Sequence, residues 1–526
     1  MSSSQDIVGA SLAGVLVVGM GCLRSTEAEP FSATRQALAA APDRGATAFM
    51  APTPFKCSDS QTIQFGPDVP PEMSGGSQLD ANCFAWAEFI SLNWPTARVL
   101  PDGGAADAGF GTPGDLSPVQ WQTYMSAELL FPPDGGAPPP WGTQPEASAD
   151  CLAEAQVTPE QARRLLPLMM ASKFSGEVSG LKRDQAFPAR GPAWLGAKNG
   201  KNVWYDVRVS QPEYAYVVDA GLYNADNQSA MVDGGTPLNL PASSFSTGMG
   251  AIELKAAWME VPNPADAKWN DYKLAQAVVA DPQTQKCRKT TVALVGLHIV
   301  HKTASQPTFV WATFEHVNNA PDDGKDAGTT DWNFYNAQCQ PQKVQVPARC
   351  SADGGTTQVI GCTPNVPPPY YLGEGCPGPK PTQVTRVTAI APLAQKVNEQ
   401  VQQQVAQRYP GSVWRNYMLV NTLWSSNPKE DPTKPLKAPL PFSGAMPSAD
   451  VAIANTTMET YVQRQGPQSQ GVSNCIVCHK NATIAGGSPW ASDFSFIFKE
   501  ASAPASSKTE KDAASPQVPR MRRILR

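Results

Sequence analysis

Residues Thr290-Thr291-Val292-Ala293-Leu294-Val295-Gly296-Leu297-His298-Ile299-Val300-His301-Lys302 are rich in β-branched and apolar side chains, the composition of a β-strand. After a short turn containing Pro307 comes Thr308-Phe309-Val310-Trp311-Ala312-Thr313-Phe314-Glu315-His316-Val317, and the two runs predict a hairpin. Side chains alternate along a strand, so His298 and His301 point to opposite faces. With the turn centred on Ser305-Gln306, His301 and His316 share one face, and Glu315 and His298 share the other.

Strands extend outward from this hairpin. Residues 202–209 and 251–261 show the same alternation, and residues 413–423 add another strand. Helices flank them. Cys83-Phe84-Ala85-Trp86-Ala87-Glu88-Phe89-Ile90-Ser91-Leu92-Asn93-Trp94 is apolar and helix-compatible, and Pro95 stops it. Further helices are predicted over residues 120–131 and 391–408, and over 158–173 with Thr158 as N-cap and Pro159 at the first position. The fold class predicted is α+β, with a strand-rich main domain over residues 76–440. Tracts such as Asp134-Gly135-Gly136, Asp233-Gly234-Gly235 and Asp326-Ala327-Gly328 lack the spacing of a calcium loop and read as surface turns.

The 526 residues include 41 Gly and 51 Pro, so part of the length is loop, and residues 23–75 read as a linker. A net charge of −5 argues against a nucleic-acid partner. Residues 7–21 are apolar but too short for a confident membrane span and fit the core of a signal peptide, although no Lys or Arg precedes them. Gly19-Met20-Gly21-Cys22 is similar to a lipoprotein cleavage site, so residues 1–22 are expected to direct export, either with a lipid anchor on Cys22 or as a plain secreted protein cut nearby. Export makes disulfides the expected state of Cys57, Cys83, Cys151, Cys287, Cys339, Cys350, Cys362 and Cys376. Residues 501–526 are poor in apolar residues and predict a disordered tail.

The chemistry lies in Cys475-Ile476-Val477-Cys478-His479. Two thiols at this spacing reach the two vinyl groups of a porphyrin, and the adjoining imidazole reaches iron, so one covalent haem c is expected on a helical segment within residues 441–500. A zinc site wants a second ligand pair, and no Cys or His follows. A redox disulfide would not need His479. The second iron ligand must lie upstream, because Met521 is the only later methionine. Met458 is one candidate, in a helical first turn capped by Thr456 and Glu459. The others are the three remaining histidines, His298, His301 and His316. A five-coordinate iron is the third possibility.

Several strings carry a family resemblance: Phe84-Ala85-Trp86 with Leu92-Asn93-Trp94-Pro95, Gly296-Leu297-His298-Ile299-Val300-His301-Lys302-Thr303, Trp311-Ala312-Thr313-Phe314-Glu315-His316-Val317, and Ala454-Asn455-Thr456-Thr457-Met458-Glu459-Thr460. Over about residues 83–498 the chain resembles a bacterial "cytochrome c family protein". The resemblance implies a large, exported, single-haem protein and brings no substrate.

Three functions follow from these residues. Electron transfer needs one haem with two axial ligands, and its partners are other redox proteins. An oxidoreductase of peroxidase or oxygenase type needs an open iron and a small-molecule substrate, with His298, His301, Glu315 or His316 as acid and base. A haem-containing sensor or binding module is the third.

Overall fold

The computed structural model describes residues 54–96, 109–168, 194–281, 286–350, 355–369, 375–378, 380–428, 431–441, 453–461, 463 and 475–504. Its centre is one eight-stranded sheet. The strands are β1 (Met125–Ser126), β2 (Leu166–Leu168), β3 (Val203–Val209), β4 (Ile252–Val261), β5 (Leu274–Ala280), β6 (Cys287–Thr303), β7 (Gln306–His316) and β8 (Tyr417–Leu423). The order is β8-β7-β6-β4-β3-β1, and β5 pairs with β6 and with β2. All ladders are antiparallel except β2–β5. With its helices this is an α+β fold.

β6 spans 17 residues and is the spine of the sheet. Its first part pairs with β5, its second part with β7, and β4 runs along its other edge. The β6–β7 hairpin forms as the sequence predicts. Thr303 faces Gln306, so the turn is Ala304-Ser305, one residue earlier than expected, and Pro307 lies within the strand. A bulge at Val295 resets the alternation of β6 against β4.

The sheet has two unlike faces. On one, Leu254, Leu297, Ile299, Phe314 and Leu419 pack against α1 (Gln78–Leu92) and α4 (Pro392–Arg408). Ser77 caps α1 and Asp80 completes the capping box, so α1 starts before Cys83. Phe84, Trp86, Phe89 and Ile90 are buried on it, each contributing about 1.5–3 kcal/mol. From α4, Asn398 accepts from Trp86 Nε1 at 2.9 Å and from the Leu419 N–H at 2.9 Å, and donates to the Leu419 carbonyl at 2.8 Å. That side chain satisfies the backbone where β8 bulges between Leu419 and Asn421. The opposite face carries α2 (Gln211–Asp219), α3 (Ala225–Asp233), residues 453–461, and the segment that begins with α5 (Cys475–His479).

Four disulfides join Cys57–Cys83, Cys151–Cys287, Cys339–Cys362 and Cys350–Cys376. They use all eight cysteines expected to pair and fit an oxidising, extracytoplasmic environment. No helix among the described residues is long and apolar enough to cross a membrane.

Several expectations fail locally. Residues 54–75 belong to the body rather than to a linker: Phe55–Lys56 pairs with Thr62–Ile63, and Cys57 is bridged to α1. Residues 120–131 are not one helix, because Met125 and Ser126 pair with Val209 and Arg208, and Ser126 caps a separate turn, Ala127–Leu130. Thr158 caps its helix as expected, but the helix ends at Ala162, and Leu166–Leu168 then joins the sheet. Residues 413–416 form a 3-10 turn before β8 begins. The signal segment, Cys22 and residues 505–526 lie outside the described residues. The acid–glycine tracts are turns: the N–H groups of Gly136 and Gly328 donate to Asp134 and Asp326, and Gly234 ends α3.

Candidate functional site

Residues 453–461 have no regular structure, so their backbone needs explicit partners. Asn455 supplies most of them. Its Nδ2 donates to Thr313 Oγ1 at 2.8 Å and to the Phe314 carbonyl at 3.0 Å, and its Oδ1 accepts the Thr457 N–H at 2.9 Å. Glu459 Oε2 reaches back to the Asn455 N–H at 2.8 Å. The capping residue is therefore Asn455, not Thr456, and the capped unit is a turn, not a helix. The Thr456 hydroxyl is taken by Glu315, which also accepts the Thr456 N–H at 2.7 Å. The segment lies so close to β6 that a Cβ at Gly296 would stand 2.3 Å from Thr457 Oγ1.

The motif forms one helical turn, Cys475–His479. Cys475 is a free thiol, so the two motif cysteines are not bridged to each other. His479 Nδ1 lies 2.8 Å from the Phe494 carbonyl. A carbonyl only accepts, so the proton sits on Nδ1 and Nε2 is the basic nitrogen. Trp311 lies 4.5 Å from the imidazole and Phe496 lies 5.1 Å from it, centroid to centroid.

The acceptor is set by backbone strain. Asp493 and Phe494 have φ of 54° and 65°, a left-handed conformation that Asp tolerates and that is costly for Phe. Asp493 is locked there: its Oδ2 accepts from the Leu240 N–H at 2.8 Å and from Lys302 Nζ at 2.8 Å. Burial raises the Asp493 carboxyl and Lys302 opposes the rise. From α3, Gln228 accepts the Ala485 N–H at 2.9 Å and donates to the Phe498 carbonyl at 3.0 Å. Nothing in the sequence flags Asp493 or Gln228, because their bonds to Leu240, Ala485 and Phe498 each span more than 250 residues.

The four acid–base candidates part company. His301 is fully buried, with Nε2 2.5 Å from Ser243 Oγ and Nδ1 2.5 Å from Glu88 Oε1. Burial lowers its pKa to about 3 and raises the Glu88 carboxyl well above its usual range. His316 is also fully buried, and burial lowers it to about 3 against a smaller opposing effect of the Asp271 carbonyl, which lies 3.1 Å from Nε2. Its Nδ1 accepts the Asn318 N–H at 3.2 Å. Glu315 meets Arg386 through two hydrogen bonds of 3.1 and 2.9 Å. These three groups are structural.

His298 differs. It lies on the same face as Val300 and Trp311, pairs with Lys255 and Thr313, and its Nε2 is 3.1 Å from Glu459 Oε1. Burial raises Glu459, but His298, Lys255 and the Asn455 N–H outweigh it and hold the carboxyl below its usual range. The Cys475 thiol is pushed up to about 12 by burial and then by Glu459, with Lys255 opposing. His298, Glu459 and Lys255 therefore lie together on this face of the sheet. Met458 is fully buried beside Val295, Ala257 and Tyr205, in an apolar cluster separate from the one that contains Trp311 and Phe494.

Cys475, Cys478 and His479 share one helical turn in the residue types and order of a haem c attachment motif; Cys475 is a free thiol, Cys478 is disulfide-bonded, and a backbone carbonyl fixes the imidazole from behind, as it does for metal-ligating histidines. No group of three or more His, Cys, Asp or Glu arranged for a metal ion occurs among the described residues. No protein-family model, curated protein or solved structure matches the chain.

Proposed function

We propose that this chain is an exported single-haem c-type cytochrome that transfers electrons, with one haem c joined to Cys475 and Cys478 and bound through His479. The observation that carries this reading is the Phe494 carbonyl 2.8 Å from His479 Nδ1, which fixes the imidazole of the Cys475–His479 turn. When bound, the haem supplies a one-electron iron couple. His479 orients through Phe494, and Trp311 and Phe496 keep water from the ring. The four disulfides support export, so the periplasm or cell envelope is the expected location, with Cys22 as the residue a lipid anchor would use. The partners are other redox proteins. Transfer is favoured over acid–base catalysis because His301, His316 and Glu315 are sealed and fully hydrogen-bonded.

The test is expression in a host that attaches haem c. The wild-type protein should keep haem stain on a denaturing gel, and the double variant Cys475→Ala, Cys478→Ala should lose it. Stain retained in that variant, or absent from wild type, refutes the proposal. A high-spin ferric spectrum with ready carbon monoxide binding moves the function to a small-molecule oxidoreductase.

A further inference from the structure

We infer that the cavity between the start of β7, residues 431–441 and residues 491–494 binds a small aliphatic amine in its ammonium form, recognised by Thr308, Asp431 and Asp493. The inference is independent of the haem reading. The cavity has a volume of about 110 Å³, on the scale of cavities that admit one small organic molecule. Phe494 lines it and also fixes His479 through its carbonyl, so the cavity and the motif turn share a wall.

The walls stand without an occupant. Ala438 and Leu440 donate their N–H groups to the Pro489 and Lys480 carbonyls at 2.9 and 2.7 Å, and Ala491 donates to the Leu436 carbonyl at 2.8 Å. Five of the thirteen lining residues are proline: Pro237, Pro307, Pro432, Pro435 and Pro441. Proline has a fixed φ and no N–H. The wall is therefore stiff, which spares an occupant the cost of ordering it. It is also poor in donors, so it has little to offer an anion. Leu436, Leu440 and Phe494 add apolar surface for a short aliphatic chain.

The polar groups in the lining select a cation. Asp493, only 4% exposed, and Asp431 both sit against Lys302 Nζ, at 2.8 and 2.9 Å. Lys302 is fully buried and also donates to Asn239. Two carboxylates thus share one ammonium, which leaves one negative charge in excess. Asp431 Oδ1 lacks hydrogen-bond geometry to Lys302 and accepts no hydrogen bond among the described residues. Thr308, 9% exposed, lines the same cavity, and its Oγ1 has no hydrogen-bond partner among them either. Leaving a buried hydroxyl unpaired is costly. Spare acceptors and excess negative charge call for a ligand with several N–H donors and a positive charge, and a primary ammonium has three such donors.

The test is a ligand-observed NMR titration of the full-length protein with n-butylammonium, and with butyrate and butanol as the matched anion and neutral alcohol. Butylammonium should bind saturably, and the other two should not. Thr308→Val removes the hydroxyl and keeps the shape. It should weaken binding about tenfold, the worth of one hydrogen bond to a charged group. It should leave the denaturant midpoint equal or higher, because no partner within the protein is lost. Asp431→Asn, at a part-exposed position, should weaken binding further, because the excess charge is gone. A wild type that does not bind butylammonium overturns the proposal, and so does equal binding of butyrate or butanol. Full affinity in both variants overturns it as well, since the amine then binds elsewhere. A midpoint lowered by Thr308→Val shows that the hydroxyl is already paired and overturns its role.

Discussion

On the helix face of the sheet, Trp86, Phe89 and Phe314 meet with ring centroids 4.3–5.2 Å apart, and His301 is closed between Ser243 and Glu88. On the other face, a segment without regular structure is tied down by Asn455, Glu315 and Tyr205, and His298 keeps contact with solvent. His298 and His301 lie three residues apart on β6, yet one is a sealed core imidazole and the other is partly exposed and paired with Glu459. The apolar face supplies stability in bulk, by area removed from water. The polar face supplies position, because each hydrogen bond there sets the place of one backbone group. A site that must hold a cofactor in one orientation needs the second kind of face, supported by the first.

The largest expected effect breaks the apolar face. Trp86→Ala should lower unfolding free energy by about 5 kcal/mol, measured from the denaturant midpoint, because it opens a cavity and leaves Asn398 half-paired. It should leave the spectrum of the folded fraction unchanged. A changed spectrum would show that the two faces are not separable in this way.

Next comes the polar face. Glu315→Ala strands Arg386 without its buried partner and releases the Thr456 N–H, at a cost of about 3 kcal/mol. Hydrogen exchange should locate the loosening in residues 453–461 rather than in β6. Uniform loosening of the whole sheet would refute the role given to Glu315.

The smallest effect is a pH slope. His316 takes a proton below about pH 6.5 when unfolded but only near pH 3 when folded. Below pH 6.5 the unfolded state binds more protons, so the stability present above that pH is lost toward pH 3, by about 1.4 kcal/mol per unit. His301 adds a loss of the same sign. Glu88 opposes it, since a carboxyl raised when folded gains stability as pH falls toward its unfolded range. His316→Gln should therefore flatten the slope between pH 6.5 and 5 by about 1.4 kcal/mol per unit. An unchanged slope would show that His316 is not held neutral.

The hairpin was readable from composition, and so was the division of its histidines between the faces, because alternation is a local property of extended backbone. The loops that hold the motif were not. Thr456 and Glu459 match a capping box in sequence, but Asn455 competes for the same N–H groups and is placed to win by Thr313 and Phe314 of β7. β5, α2 and α3 were missed, and with them Gln228, which carries the segment after the motif. Their patterns are short, and their roles exist only where distant parts of the chain meet.

The sequence by itself determined the strand-rich spine, the eight cysteines that pair, and the five-residue motif with its expected cofactor. Each is written in residue type and spacing within one short stretch. Only the tertiary structure decided which cysteines join, that His301, His316 and Glu315 are locked into the core, that Phe494 turns back to meet His479, and that His298 meets Glu459. Those outcomes depend on which distant groups share a buried space, and a buried polar atom takes the partner that the fold brings within reach.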